Sequence, residues 1–161
     1  MLWNLLETIK GYKMKTIKYY SYLIIHKIMV IKEIMNIVFL LFIRALLHDN
    51  SKFRPEEARG FIKIIDNQKE GKEYFDVLSL IAKEVNNHYK NNRHHPQHFK
   101  NGIDDMGLID IIEMLCDWKA SNQQRHNFGT IELSIGINKN RFNISEQLTK
   151  IFLNTLNMKL K

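Results

Sequence analysis

Ile37-Val38-Phe39-Leu40-Leu41-Phe42-Ile43-Arg44-Ala45-Leu46-Leu47-His48-Asp49-Asn50-Ser51-Lys52 is the stretch on which the reading of this chain turns. An apolar run at helical spacing ends on an imidazole followed directly by a carboxylate. The imidazole offers a neutral nitrogen and the carboxylate a charged oxygen able to bridge two cations, so the pair suits metal ligation at the end of a helix. The apolar run falls well short of the ~20 residues that span a bilayer, and Arg44 interrupts it. It reads as a buried core helix, and no membrane partner is expected.

Outward from this pair, further ligand-type residues fall on separate periodic segments. His26 lies upstream within the apolar run Tyr22 to Val30, and His88, His94, His95 and His98 cluster downstream. Four histidines in eleven residues rarely serve packing alone. Asp110, Glu113 and Asp117 are spaced i, i+3, i+7, which places all three acids on one helix face. Their neighbours Ile109, Ile112, Met114, Leu115 and Trp118 are mostly apolar, so this helix is expected to be buried on more than one side. A buried acid needs a cation or a hydrogen-bond donor.

Helical periodicity runs nearly throughout, and no alternating stretch argues for a sheet. Residues 2–10 suit a short helix ending at Gly11, and a longer one is expected from about Thr16 to Asn36. The run from Ile37 continues that helix or follows a kink. Pro55 with Glu56 and Glu57 looks like a helix start, with acids near the positive end of the dipole, and that helix is expected to reach about Asn67. Others are expected from about Glu73 to Tyr89, Leu108 to Ala120, Ile131 to Arg141 and Ser145 to Met158, the last capped by Asn143 or Ser145. Pro96 disfavours helical geometry at His95, so the chain must leave the helix before it. The chain therefore reads as an all-α bundle, with residues 1–19 an N-terminal helical extension and 20–161 the helical domain.

A chain of 161 residues suits a single core. One cysteine, Cys116, excludes an internal disulfide and fits a reducing cytosol; inside its apolar run it reads as a small buried hydrophobe. The formal charge of +7 is compatible with nucleic acid or a small phosphorylated substrate, but the lysines are scattered and read mainly as solvated helix faces. The first residues lack the pattern of a signal peptide, so a cytoplasmic location is expected.

The order His, His-Asp, His cluster, Asp resembles the HD-domain superfamily of metal-dependent phosphohydrolases. More closely, the chain resembles a family of small phage and bacterial HD-like proteins of unassigned function. The matching blocks are His48 to Phe53, His88 to Phe99, Met106 to Ala120 and Ile137 to Thr155, within a resemblance covering about residues 20–158. It implies an HD-like helical bundle in which His26, His48, Asp49 and Asp117 hold a first divalent ion. His88 and one of His94 and His95 then hold a second, with Asp49 bridging. Mn, Mg, Fe, Co, Ni and Zn are not distinguished by this pattern.

Cations in such a site activate water and offset charge on a phosphoryl oxygen, so no separate nucleophilic side chain is needed. The implied reaction is hydrolysis of a nucleotide or another small phosphorylated compound. Lys52 and Arg93 would face the phosphate, and Glu113 would orient a ligand or act as general base. His98 and His126 stand outside this set. Two alternatives remain open: a di-iron oxygenase on the same ligands, and a phage accessory protein that binds a host factor or nucleic acid without catalysis, in a host cytoplasm. The sequence sets no oligomeric state.

Overall fold

The structure is a computed structural model that describes residues 2–69, 79–124 and 129–157. It is all-α, with six α-helices and no strand among the described residues. The chain divides into two compact units, residues 1–43 and 44–161, a boundary later than the 19/20 division expected from sequence.

Helix α1 runs Leu2–Leu47 as one element. Gly11 and Asn36 lie inside it, so the expected short helix ending at Gly11 and the possible kink near Asn36 do not form. Neither residue breaks the ladder here, because no proline removes a donor anywhere along the run. The expectation of a buried core helix at 37–43 also fails: Val38, Phe39, Leu40 and Phe42 are exposed. A helix that continues straight through Asn36 cannot fold this run back onto the segment before it.

In the unit 44–161, a short 3₁₀ turn at Asn50–Phe53 leads to α2, Pro55–Lys69, which starts at the expected proline. Helix α3 spans Ala82–Asn91, and a further 3₁₀ turn at Pro96–His98 follows. His95 is extended (φ −96°, ψ 128°), as its place before Pro96 requires. The stretch expected to begin α3, from Glu73 through Leu78, lies outside the described residues. Helices α2 and α3 approach closely where Gly60 meets Glu84: a Cβ at Gly60 would lie 2.7 Å from the Glu84 Cγ.

Helix α4 spans Leu108–Gln124, α5 Ile131–Phe142 and α6 Glu146–Leu156. Ser145, not Asn143, caps α6, accepting a hydrogen bond from the Leu148 amide. Asn143 instead ends α5 in the left-handed region (φ 51°), a conformation asparagine tolerates. Met106, Met114, Leu115, Ile135, Ile144 and Phe152 form the apolar core of these three helices, with Trp118 stacked on Phe142 and edge-on to Phe152. A smaller cluster, Ile64 and Ile81 with Phe61 and Val85, joins α2 to α3. Cys116 is exposed rather than buried, because Met114 and Leu115 take the inward positions of that turn.

Candidate metal centre

The end of α1 sets the site. The helix stops at Leu47, and Asp49 takes a left-handed backbone conformation (φ 56°, ψ 17°), uncommon for a residue with a Cβ. That turn leads into the 3₁₀ segment and lets His48 and Asp49, adjacent in sequence, both meet residues from α3 and α4. Asp49 offers one oxygen to each side. Its Oδ1 is 3.4 Å from His88 Nε2 and 3.4 Å from His94 Nε2, while its Oδ2 is 3.5 Å from His48 Nε2 and accepts from Lys52 Nζ at 2.6 Å.

His88 comes from the last turn of α3, and His94 and His95 from the loop behind it. His88 Nε2 and His95 Nε2 are 2.9 Å apart, and the His94 and His95 rings are 4.1 Å apart between centroids. Potential ligand atoms of Asp49, His88, His94 and His95 thus all lie within 4.8 Å of one another, as do those of His48, His94 and Asp117. Two buried polar atoms at this point lack any hydrogen-bond partner: Asp49 Oδ1 and His94 Nε2. His94 is 1% exposed, so its bare nitrogen has no solvent to turn to. Orphaned buried acceptors are costly, and a pair of them aimed at each other is what a cation would satisfy. The donor set, imidazole and carboxylate, fits a divalent transition ion.

The acids of α4 stand behind this cluster. Glu113 Oε1 is 2.9 Å from His48 Nδ1 and 3.1 Å from His94 Nδ1, so one carboxylate orients both rings with their Nε2 atoms forward. Its other oxygen accepts from Arg44 Nε at 2.6 Å. Asp110 collects Arg44, Arg93 and the Gly107 amide. Asp117 Oδ1 faces His48 Nε2 at 3.6 Å and accepts from Ser121.

These contacts set the protonation pattern. Hydrogen bonds to Asp117 and then Glu113 raise His48 to about 10, so it is a cation in the ion-free chain. Burial lowers His95 to about 3, assisted by the charges of its histidine neighbours, and burial lowers His88 too. Burial opposes ionisation of Glu113, but hydrogen bonds from His48 and His94 outweigh it and hold the carboxyl well below its usual range. In Asp49, burial is the largest single effect and raises the carboxyl. The hydrogen bond and charge of Lys52, together with the charges of His48 and His88, outweigh it and hold the carboxyl below its usual range. His88 and His95 therefore present neutral rings, while His48 must release a proton before it can ligate.

The structure thus brings together six of the seven expected ligands. His26 is in neither group; it lies in the unit 1–43, exposed, its ring stacked on Tyr22. Both His94 and His95 lie in the cluster, where the sequence reading had left open which of the two would. Lys52 and Arg93 are at the site's margin but already engaged, with Asp49 and Asp110 respectively; Arg93 also lies over the Phe99 ring. His98 is held by the Tyr89 carbonyl, outside the cluster, and His126 lies outside the described residues.

Three contributors escaped the sequence reading. Arg44, read as an interruption of an apolar run, is the counter-ion of Asp110 and Glu113. Ser51, quoted only as part of the His48 to Phe53 block, and Glu57, read as a helix-start acid, are buried against His88.

The chain belongs to a family of unknown function, DUF5662, whose model matches residues 15–158. No curated protein and no solved structure matches it. No helix among the described residues is long and apolar enough to cross a membrane.

Proposed function

We propose that this protein is a metal-dependent phosphohydrolase of HD type, acting on a nucleotide or another small phosphorylated compound. The observation that carries the reading is the convergence of Asp49 Oδ1 and His94 Nε2, both buried and unpartnered, with the Nε2 atoms of His88 and His95, which lie 2.9 Å apart. Asp49, His88, His94 and His95 would hold one ion, and His48 with Asp117 would complete a second position that shares Asp49. His94 has a single free nitrogen, since its Nδ1 faces Glu113, so it serves one ion only. When bound, such ions supply an activated water and charge stabilisation at a phosphoryl oxygen.

The chain's own residues have separable tasks. Glu113 keeps the His48 and His94 rings in register through their Nδ1 atoms, while the His48 Nε2 that would ligate faces the carboxylates of Asp49 and Asp117. Lys52, 41% exposed, holds Asp49 with one N–H and has two more to offer an anion. Arg93, half exposed, keeps its guanidinium planar on Asp110 while its outer edge stays open to a phosphate.

The test is phosphate release from nucleoside mono-, di- and triphosphates and cyclic nucleotides, after stripping and reloading with Mn, Mg, Fe, Co, Ni or Zn. Asp49→Ala should abolish release with the helical circular dichroism unchanged, because both oxygens of this carboxylate face candidate ligands. His98→Ala should change the rate little. Wild-type rates in Asp49→Ala would sink the reading. Bound iron with no phosphate release would favour the oxygenase, and absence of both would favour a binding role.

A further inference from the structure

We infer that Glu57 is a positioning residue that fixes the tautomer of His88 and so makes its Nε2 a ligand. The inference rests on the metal reading above and assigns a role to a residue outside the ligand set.

Glu57 sits in the first turn of α2 and is fully buried, at 0% exposure. Acids in a helix's first turn are ordinarily solvated, where the dipole favours them. A buried carboxylate needs compensating donors, and Glu57 has three. Ser51 Oγ donates to Oε2 at 2.7 Å, Asn87 Nδ2 donates to Oε1 at 2.7 Å, and His88 Nδ1 lies 3.1 Å from Oε2. Among the described residues no lysine or arginine forms an ion pair with it.

Counting protons then settles which way His88 points its lone pair. Three groups surround its Nδ1: Glu57 Oε2, Ser51 Oγ at 3.2 Å and Asn92 Nδ2 at 3.0 Å. The Ser51 hydroxyl proton is spent on Glu57. Asn92 has two amide protons, one given to Ser51 Oγ at 2.7 Å and the other to the His88 carbonyl at 2.8 Å. No donor is left for an unprotonated Nδ1, and the carboxylate can only accept. Nδ1 therefore carries the proton and gives it to Glu57. His88 Nε2 is left bare, facing Asp49 Oδ1 and His95 Nε2. In the ion-free chain His95 can donate to that nitrogen; with an ion present, both lone pairs turn to it.

Glu57 and Glu113 thus do the same work from opposite sides, one for His88 and the other for His48 and His94. Partners of this kind typically change metal affinity by ~10–100-fold when removed, since the ring loses both its orientation and some of its basicity.

The experiment uses the full chain. Long-range ¹H–¹⁵N correlation on the ion-free, ¹⁵N-labelled protein reads the His88 tautomer directly, and competition with a chromophoric chelator reads affinity for Zn²⁺ and Mn²⁺. Wild type should show the Nδ1–H form. Glu57→Ala should mix or invert the tautomer and weaken affinity by ~10–100-fold. Glu57→Gln, whose amide oxygen can still accept from Nδ1, should recover most of both, which a merely space-filling role would not require. An Nε2–H tautomer in wild type, or unchanged tautomer and affinity in Glu57→Ala, would overturn the inference alone. Should Glu57→Ala not fold, the wild-type tautomer and the Glu57→Gln affinity still decide it. A wild type that binds neither ion would overturn the metal reading and this inference together.

Discussion

The two ends of the 44–161 unit are built on opposite principles. Where α4, α5 and α6 meet, six buried apolar residues centred on Phe152, Met114 and Ile135 form a continuous core with aromatic rings packed around it. Where the 3₁₀ turn, α2 and α3 meet, Ile64 and Ile81 are the buried apolar residues among those described. Their neighbours in the interior are Ser51, Glu57, His88, Asn92 and His94. The first end is held by area removed from water, the second by a closed count of donors and acceptors. Among the buried polar side-chain atoms of the described residues, only Asp49 Oδ1 and His94 Nε2 lack a partner. A polar interior with two unpartnered atoms at one point is what the metal reading rests on.

The largest test of this contrast is Phe152→Ala. Phe152 is 2% exposed and packs edge-on against Trp118, so truncation should remove about 3–5 kcal/mol of stability. Denaturant titration with and without Zn²⁺ should show the same loss in both conditions, since the apolar end shares no residue with the candidate ligands. A loss that vanishes when metal is added would mean that the two ends are not independent.

Metal itself should act at the other end and nearly as strongly. An ion that binds only the folded state adds about 2.7 kcal/mol at a hundred times its dissociation constant. Thermal unfolding of wild type should therefore rise with added Zn²⁺ or Mn²⁺ and fall back with chelator. In Asp49→Ala the increment should disappear. An equal rise in both proteins would place the ion somewhere other than between Asp49 and the histidines.

The same contrast explains what the sequence did and did not disclose. The apolar end was legible: periodicity placed the starts of α4 and α5, and Ser145 was one of the two caps considered for α6, because these are local effects. Most of the candidate ligands were named too: the His48-Asp49 pair stood out by its chemistry, and the resemblance added His88 and Asp117. Glu57 was not, because an acid two residues after a helix-opening proline looks the same in sequence whether it faces water or a histidine from another helix. The fate of 37–43 was illegible for a related reason. An apolar run specifies burial, yet nothing local says whether Asn36 will break the helix before it, and here α1 passes through without a break. His26 followed from the resemblance, and its segment belongs to the other unit.

The α2–α3 contact sharpens the comparison at smaller scale. Glycine inside a helix is worse than alanine by ~0.5–1 kcal/mol, so Gly60→Ala should stabilise α2 if nothing opposed it. The added Cβ would meet Glu84 at 2.7 Å from Cγ and 2.8 Å from Cβ, atoms too near the backbone to swing clear. Overpacking of this kind costs ~1–3 kcal/mol, so the steric term wins and the variant should be less stable by about 1–2 kcal/mol. Because α3 carries His88, metal affinity should fall with it. A more stable variant would show that α2 and α3 can part without penalty, and that the polar end is looser than its hydrogen bonds suggest.

The smallest effect is expected at Ser145, on the apolar end. Its side chain accepts from the Leu148 amide at 3.2 Å and caps α6, next to the buried Ile144. Alanine here leaves that amide to water and should cost about 1 kcal/mol, whereas glycine, which lets water reach the helix end, should cost only a few tenths. Neither variant should alter affinity for Zn²⁺, since α6 contributes no candidate ligand. The value of so mild a change is that it perturbs stability without opening a cavity. If Ser145→Ala weakens metal binding while Ser145→Gly does not, the polar end draws on the full stability of the apolar end, and the division of labour between them fails.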